Sequence, residues 1–116
     1  MQNFKKNLIT IITVVKNSAP TIEKCIRSVI DQNYDKIEHI IIDGKSNDGT
    51  IEILKKYKNK IDKIIIQNDK GIWDAMNKGV EIANGDIIGF LNADDYYNQN
   101  ALNLVNKYFV NNKIDF

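Results

Sequence analysis

Four short runs of branched apolar residues alternate along the chain with segments whose apolar residues recur at helical spacing. Such runs are typical of buried strands, and a spacing of three and four residues indicates one face of a helix. The predicted strands are Leu8–Val15, Ile37–Ile42, Ile61–Gln67 and Asp86–Leu91. Because strands and helices alternate, we predict an α/β fold of order β-α-β-α-β-α-β-α, with a parallel four-stranded sheet and helices on both faces.

Local signals support each predicted helix. Pro20 suits the first turn of helix one, because the missing N–H of proline costs nothing there. Asp48 is a predicted N-cap for the helix Thr50–Tyr57. Asn84-Gly85 is expected to end helix three in a left-handed conformation, and Leu102 opens the apolar face of helix four.

Composition excludes several classes of function. The chain has 116 residues, which is one domain (1–116), and its formal charge of +1 gives no electrostatic case for binding nucleic acid or an anionic membrane. The single cysteine, Cys25, excludes an internal disulfide, suits a reducing compartment and is expected in the core. The lone histidine, His39, near the start of strand two, is expected to be structural or on the surface.

The most informative polar cluster is Asn92-Ala93-Asp94-Asp95, which follows the last strand. We expect that strand to be buried on both faces, with the cluster at its carboxyl end, where open α/β sheets bind ligands. Two adjacent carboxylates suit a divalent cation that carries phosphates, although an ordinary turn has the same residue types.

Other polar loops belong to the same edge of the predicted sheet, because the loops after parallel strands lie together. Polar residues follow the first three strands at 16–17, 43–48 and 68–70. A nucleotide held through its base, its ribose and metal-bridged phosphates would use such a set. No glycine-rich loop follows strand one, so a classical dinucleotide fold and a phosphate-loop nucleotidase are disfavoured.

Four segments resemble the family 2 glycosyltransferases, which are inverting enzymes with the Rossmann-like GT-A fold. Their order and spacing match the family over most of the chain. Two of them resemble the family patterns D-(D/G)-G-S-x-D-G-T and G-I-(Y/W)-D-A-M-N-K-G, and the last resembles the DXD motif. The segments are Thr13–Asn17, Ile41–Thr50, Lys70–Gly79 and Asn84–Asp95.

The resemblance implies transfer of a sugar, expected from a UDP-sugar, to a glycan or lipid-linked acceptor in bacterial surface polysaccharide synthesis. Asp43 matches the acid that bonds the nucleotide base, and Asp69 lies where relatives contact base and ribose. Asp94 and Asp95 would hold Mn²⁺ or Mg²⁺ on the diphosphate. The full set expected to bind the nucleotide sugar is Thr13, Val15, Asn17, Asp43, Asp69, Lys70, Asn77, Asn92, Ala93 and Asp94.

Three residues depart from the family pattern. Asn92 replaces the first Asp of DXD and removes one charge from the expected metal site. Met76 stands where many relatives have an Arg that faces the phosphates, and Lys70 or Lys78 is the candidate replacement. Lys45 replaces a common Gly, which implies strain if the position needs a positive φ. These departures keep open an alternative, a non-catalytic nucleotide-binding or assembly module with the same fold.

In the family, the catalytic base and acceptor site lie beyond the DXD motif, so no catalytic residue is assigned here and the base is expected beyond Phe116. Ile114-Asp115-Phe116 suggests the start of a further strand, and we expect a truncated donor-binding portion that does not turn over alone. Strand four would then be an exposed edge through which the chain self-associates. The expected location is the cytoplasm. If the protein binds a membrane peripherally, it is expected at the inner face of the cytoplasmic membrane.

Overall fold

The computed structural model describes residues 5–112, and it confirms the predicted order of elements. Strand limits agree with the prediction to within two residues. The suggested strand at Ile114–Phe116 lies outside the described residues. The elements are β1 (Ile9–Val15), α1 (Ile22–Ile30), β2 (Ile37–Asp43), α2 (Thr50–Lys56), β3 (Lys63–Ile66), α3 (Ile72–Ile82), β4 (Ile87–Phe90) and α4 (Ala101–Asn112).

The four strands form one parallel sheet in the order β3-β2-β1-β4. Val15 at the end of β1 pairs with Asp43 at the end of β2, and Ile12 pairs with Phe90. The order reverses between β1 and β4, because the chain passes from β3 at one edge to β4 at the other. Open α/β sheets bind ligands outside the carboxyl ends of strands at such a reversal.

Helices cover the two faces of the sheet unequally. The larger core lies between one face and the helices α1, α2 and α4, and it includes Ile26, Leu54 and Leu102. On the other face α3 packs alone, with Ala75 against Ile40 and Ile42. A Cβ added to Gly79 of α3 would lie 2.6 Å from a methyl carbon of Ile12, so the missing side chain lets α3 approach β1 closely.

The prediction that strand four is buried on both faces is wrong. Ile87 is buried, but Ile88 and Phe90 are 39% and 44% exposed. They lie on the same face as α3, and α3 packs over β1 and β2 rather than β4. Within residues 5–112, β4 is also an edge of the sheet, as predicted.

Three local predictions need correction. Pro20 precedes α1, whose N-cap is Thr21. Gly49, at φ 102°, is the N-cap of α2, and the Asp48 carboxylate instead accepts the Thr50 N–H and O–H at 3.1 and 2.6 Å. Helix α3 ends at Ala83 in an extended conformation and not in the expected left-handed one. Gly85 is needed for another reason: its backbone lies close to β1, and an added Cβ would be 2.7 Å from the backbone nitrogen of Thr10.

Of the four helices in residues 5–112, none has both the length and the apolar character that a membrane span requires.

Candidate functional site

The loops after β1 and β2 are joined by hydrogen bonds at the carboxyl edge of the sheet. The Asn17 backbone N–H donates to Ser46 Oγ at 2.8 Å, and the Asn17 side-chain oxygen accepts the Asn47 N–H at 2.8 Å. Asn17 adopts φ 51°, a left-handed conformation that asparagine tolerates better than most residues. The predicted site residue Asn17 therefore lies at this edge and orders the two loops.

Asp43 ends β2 and is completely buried. Its two carboxylate oxygens accept from Ser46, one from the backbone N–H at 2.8 Å and the other from the hydroxyl at 2.6 Å. In this conformation both oxygens bond within the loop, and the contact with the nucleotide base that the resemblance implies for Asp43 stays a prediction. Ser46 lies within the polar loop 43–48 that was predicted at this edge, but it was not among the predicted binding residues, although an Asp followed three residues later by a Ser is a pattern that predicts such a local bond.

Lys16 extends across the first two loops. Its ammonium donates to the backbone oxygens of Gly44 and Lys45 at 2.6 and 3.3 Å. Lys45 adopts φ 60°, so the expected strain at this position is present. Lys16 was likewise predicted at this edge but not among the binding residues, and its position in the segment Thr13–Asn17 does not indicate these contacts.

Asp69 and Lys70 bring the loop after β3 to the same edge. The Asp69 carboxylate accepts the Gly71 N–H at 2.9 Å, and Gly71 has a positive φ of 95°, a conformation that glycine adopts without strain. A slot of about 30 Å³ lies between this loop and the ends of β1 and β2. This volume holds about two waters, so it is too small for a nucleotide base in this conformation.

The acidic cluster forms a turn after β4, in which the Asp95 N–H donates to the Asn92 oxygen at 3.0 Å. Ala93 is buried, whereas Asn92, Asp94 and Asp95 are exposed. Residues 5–112 contain no group of three or more His, Cys, Asp or Glu side chains that could hold a metal. Two carboxylates and an amide nevertheless fit a hard cation whose remaining ligands come from a diphosphate.

The remaining predicted site residues are less accessible or further away. Thr13 is completely buried, and its hydroxyl lies 2.9 Å from His39 Nε2 and 4.0 Å from Cys25 Sγ. The Val15 side chain is also buried, although its backbone oxygen accepts the Gly44 N–H at 2.9 Å. Asn77 is exposed in the middle of α3 and therefore does not belong to the loops that follow the strands. The structure therefore brings the loop residues together but not the Thr13 and Val15 side chains.

His39 and Cys25 have the structural environments that were expected of them. Both are buried, and burial lowers the pKa of His39 to about 4, which keeps the ring neutral. Burial raises the pKa of the Cys25 thiol to about 11. A neutral imidazole and a protonated thiol in the core lack the access that a base or a nucleophile needs.

The fold is that of an α/β protein whose polar loops gather at the carboxyl ends of four parallel strands, and comparison with known proteins identifies the family. Residues 10–116 match the family model described as glycosyl transferase family 2. The chain belongs to this family, which confirms the resemblance read from its motifs.

Curated relatives come from bacteria and archaea. The chain is 37% identical over 106 residues to the "Putative teichuronic acid biosynthesis glycosyltransferase TuaG" of Bacillus subtilis, covering 88% of this chain and 41% of that protein. It is 33% identical over 100 residues to the poly(ribitol-phosphate) beta-glucosyltransferase of Bacillus spizizenii, covering 81% of this chain and 16% of that protein. The chain thus spans less than half the length of these relatives.

Solved structures confirm the GT-A fold. The structure of S. aureus TarS 1-349 in complex with UDP-GlcNAc superposes with a TM-score of 0.81 at 25% identity, covering 87% of this chain and 30% of that one. The Pyrobaculum calidifontis mannosyltransferase PcManGT, in complex with GDP-Man and Mn²⁺, gives a TM-score of 0.80 at 23% identity, covering 90% of this chain and 33% of that one.

Proposed function

We propose that this chain binds the donor of a metal-assisted glycosyltransferase that acts in bacterial surface polysaccharide synthesis. The observation that carries the proposal is the position of Asp94 and Asp95. Their exposed carboxylates follow the edge strand β4 at the reversal of strand order, beside the loop that begins at Lys16. Membership of the family and the cell-wall relatives support the reaction class.

We assign the base and ribose of the donor to the slot between the loop after β3 and the ends of β1 and β2. Asp69 and Lys70 line it from one side and Lys16 from the other. Because the slot is smaller than a base, donor binding requires the exposed Lys16 side chain to leave the Gly44 oxygen. We assign Asp43 the role of holding this loop in shape through Ser46, and Asn17 the role of joining it to the loop after β1.

Asp94 and Asp95 are the residues that would hold a divalent cation, Mn²⁺ or Mg²⁺. When bound, such a cation neutralises charge on the departing nucleoside diphosphate. Asn92 offers a neutral oxygen in place of a third carboxylate, so the protein contributes two negative charges from this turn. We therefore expect cation binding to depend strongly on the phosphates of the nucleotide.

Calorimetric titration of UDP and GDP, with and without Mn²⁺, tests the proposal on the wild type and on Asp94→Ala. We expect UDP to bind only with Mn²⁺ and Asp94→Ala to weaken binding at least tenfold. Asp35→Ala is the matched control, because Asp35 is exposed and its ion pair with Lys6 at 3.0 Å lies on the surface. Metal-independent binding of UDP would favour the non-catalytic module, and absence of binding to either nucleotide would contradict the donor site.

A further inference from the structure

Trp73 is 74% exposed, more than any other large apolar side chain in residues 5–112. It is the second residue of α3, and it follows the loop residues Asp69, Lys70 and Gly71, which line the slot assigned to the base. A tryptophan side chain carries a large apolar area, so leaving it in water forgoes the stability that burial would give. An aromatic ring exposed at the ligand-binding edge of the sheet is therefore a candidate for ligand contact.

The helix places Trp73 on its outer side. Ala75 and Gly79 of α3 are buried toward the sheet, and a residue two positions before Ala75 lies about 200° around the helix from it. The flank toward β3 is that of Asp74, whose carboxylate lies 3.5 Å from the side-chain amide of Gln67. Side chains lean toward the N-terminus of their helix, and α3 has no earlier turn for the Trp73 ring to cover. The ring therefore extends past the end of the helix, at the carboxyl edge of the sheet.

The slot lies on the face of the sheet that α3 covers. Its lining includes Val14, Ile42 and Ala75, which pack together on that face. On the opposite face, the segment after the acidic turn (92–95) packs against α1, where the Tyr97 N–H donates to Ser28 Oγ at 3.1 Å. That packing closes the α1 side of the turn. A donor that extends from the slot to the acidic turn therefore has its sugar on the α3 side, beside the first turn of that helix.

Asn77 provides a polar neighbour for the Trp73 ring. It follows Trp73 by four residues in α3, so the two side chains are neighbours on the surface of the helix, and both are exposed. Ligand sites combine apolar or aromatic surface with a few polar groups that fix orientation. An aromatic ring offers a flat surface for the C–H face of a sugar, and an amide can both donate to and accept from sugar hydroxyls. Neither side chain is charged, so the pair suits a neutral sugar.

We propose that Trp73 is a specificity-determining residue for the donor: its ring packs against the C–H face of the donor sugar, and Asn77 bonds a hydroxyl of the same sugar. The proposal rests on the proposed function, because the sugar reaches Trp73 only when the nucleotide occupies the slot and the acidic turn. The contact is lost once the sugar is transferred. Trp73 therefore favours the nucleotide sugar over the nucleoside diphosphate that remains after the reaction.

The chain has a single tryptophan, so its tryptophan emission reports on Trp73 alone. The test titrates UDP-GlcNAc and GDP-mannose into the full 116-residue chain with Mn²⁺, each in parallel with its own nucleoside diphosphate, and follows calorimetry and tryptophan emission. We expect at least one of the two nucleotide sugars to bind saturably and to shift the emission maximum to the blue with the same midpoint. The matching diphosphate should bind without that shift.

Variants then separate the sugar from the nucleotide. Trp73→Ala should weaken binding of the nucleotide sugar about tenfold and binding of its diphosphate less than about twofold, because only the sugar contacts the ring. Trp73→Phe keeps an aromatic surface and should restore most of the loss. Asn77→Ala should also weaken binding of the nucleotide sugar more than that of the diphosphate. Leu104→Ala is the matched control, because Leu104 is an apolar residue of α4 that is 64% exposed, and it should bind both ligands like wild type.

The proposal is overturned if a nucleotide sugar binds in calorimetry and leaves the emission of Trp73 unchanged. It is also overturned if Trp73→Ala, shown by circular dichroism to be folded, binds like wild type or weakens the sugar and the diphosphate equally. An emission maximum that shifts with protein concentration and not with ligand overturns it as well, because a second copy then covers the ring. In all these outcomes the diphosphates still bind and the donor site stands. If neither diphosphate nor nucleotide sugar binds the wild type, the proposed function fails, and the role of Trp73 fails with it.

Discussion

Glu38 offers the sharpest test of how the sheet is held together. Glu38 is 8% exposed. Its carboxylate accepts the Thr10 hydroxyl at 2.7 Å, and it accepts the Asn84 N–H and the Asn84 side-chain amide at 2.8 Å each. Lys63 Nζ lies 3.4 Å away. Desolvation by burial raises the pKa of Glu38, but the bonds from Asn84, Thr10 and Lys63 outweigh it and lower the pKa from 4.5 to about 2.

This pKa shift corresponds to a free energy of unfolding. A lowering from 4.5 to about 2, at about 1.36 kcal/mol per pKa unit, gives about 3 kcal/mol that depends on the charged carboxylate. The contribution is complete above pH 4.5 and is lost as the pH falls toward 2, because the unfolded state then binds the proton more readily. We expect Glu38→Gln to lower the free energy of unfolding at pH 7 by about this amount, since its amide places a donor opposite the Asn84 amide and Lys63.

Urea denaturation of wild type and Glu38→Gln between pH 3 and pH 7 measures the effect. The difference between the two should shrink as the pH falls below 4.5. Buried His39, whose pKa burial lowers to about 4, also weakens the fold below pH 6.5, but it does so in both proteins and leaves the difference unchanged. Glu81→Gln, an exposed change on α3, is the control. A difference below about 0.5 kcal/mol at pH 7 would refute the reasoning.

Three further predictions follow from the backbone and the sheet edge. Lys45→Gly should raise the free energy of unfolding by about 1 kcal/mol, measured by urea denaturation, because Lys45 has φ 60°; no gain would contradict the assigned strain. Gly85→Ala should lower it by about 2 kcal/mol or more, seen as a reduced Tm, because the added Cβ would meet the Thr10 backbone; an unchanged Tm would contradict that contact. The chain should self-associate through the edge strand β4, and Phe90→Lys should reduce the average mass measured by light scattering. A wild type that stays monomeric at high concentration would count against this edge contact.

The candidate site could be predicted from the sequence only in part. The polar residues that follow strands were expected to meet at one edge, because parallel strands carry their carboxyl ends to the same side, and Asn17, Asp69, Asp94 and Asp95 lie there. The orientation of a side chain depends on its neighbours in space. Asp43 turns into its own loop because Ser46 offers two donors, and no motif predicts that this removes it from solvent.

The packing of the segment after the acidic turn beside α1 lay beyond sequence reasoning for the same reason. This packing depends on Gln32, which lies 66 residues before its partner Asn98 in the chain. Neither residue belongs to a motif, and glutamine at the end of a helix is ordinary in a sequence. Only the folded chain brings α1 and the segment after the acidic turn into contact.

The sequence by itself determined the α/β class, the order of its elements and the family, because hydrophobic period and motif spacing are local properties of the chain. The tertiary structure alone decided which helix covers which strands. That choice leaves Ile88 and Phe90 exposed although their sequence is as apolar as a buried strand, because α3 packs on β1 and β2 through Gly79 and Ala75. Burial depends on lateral packing between distant segments, and no local pattern contains that information.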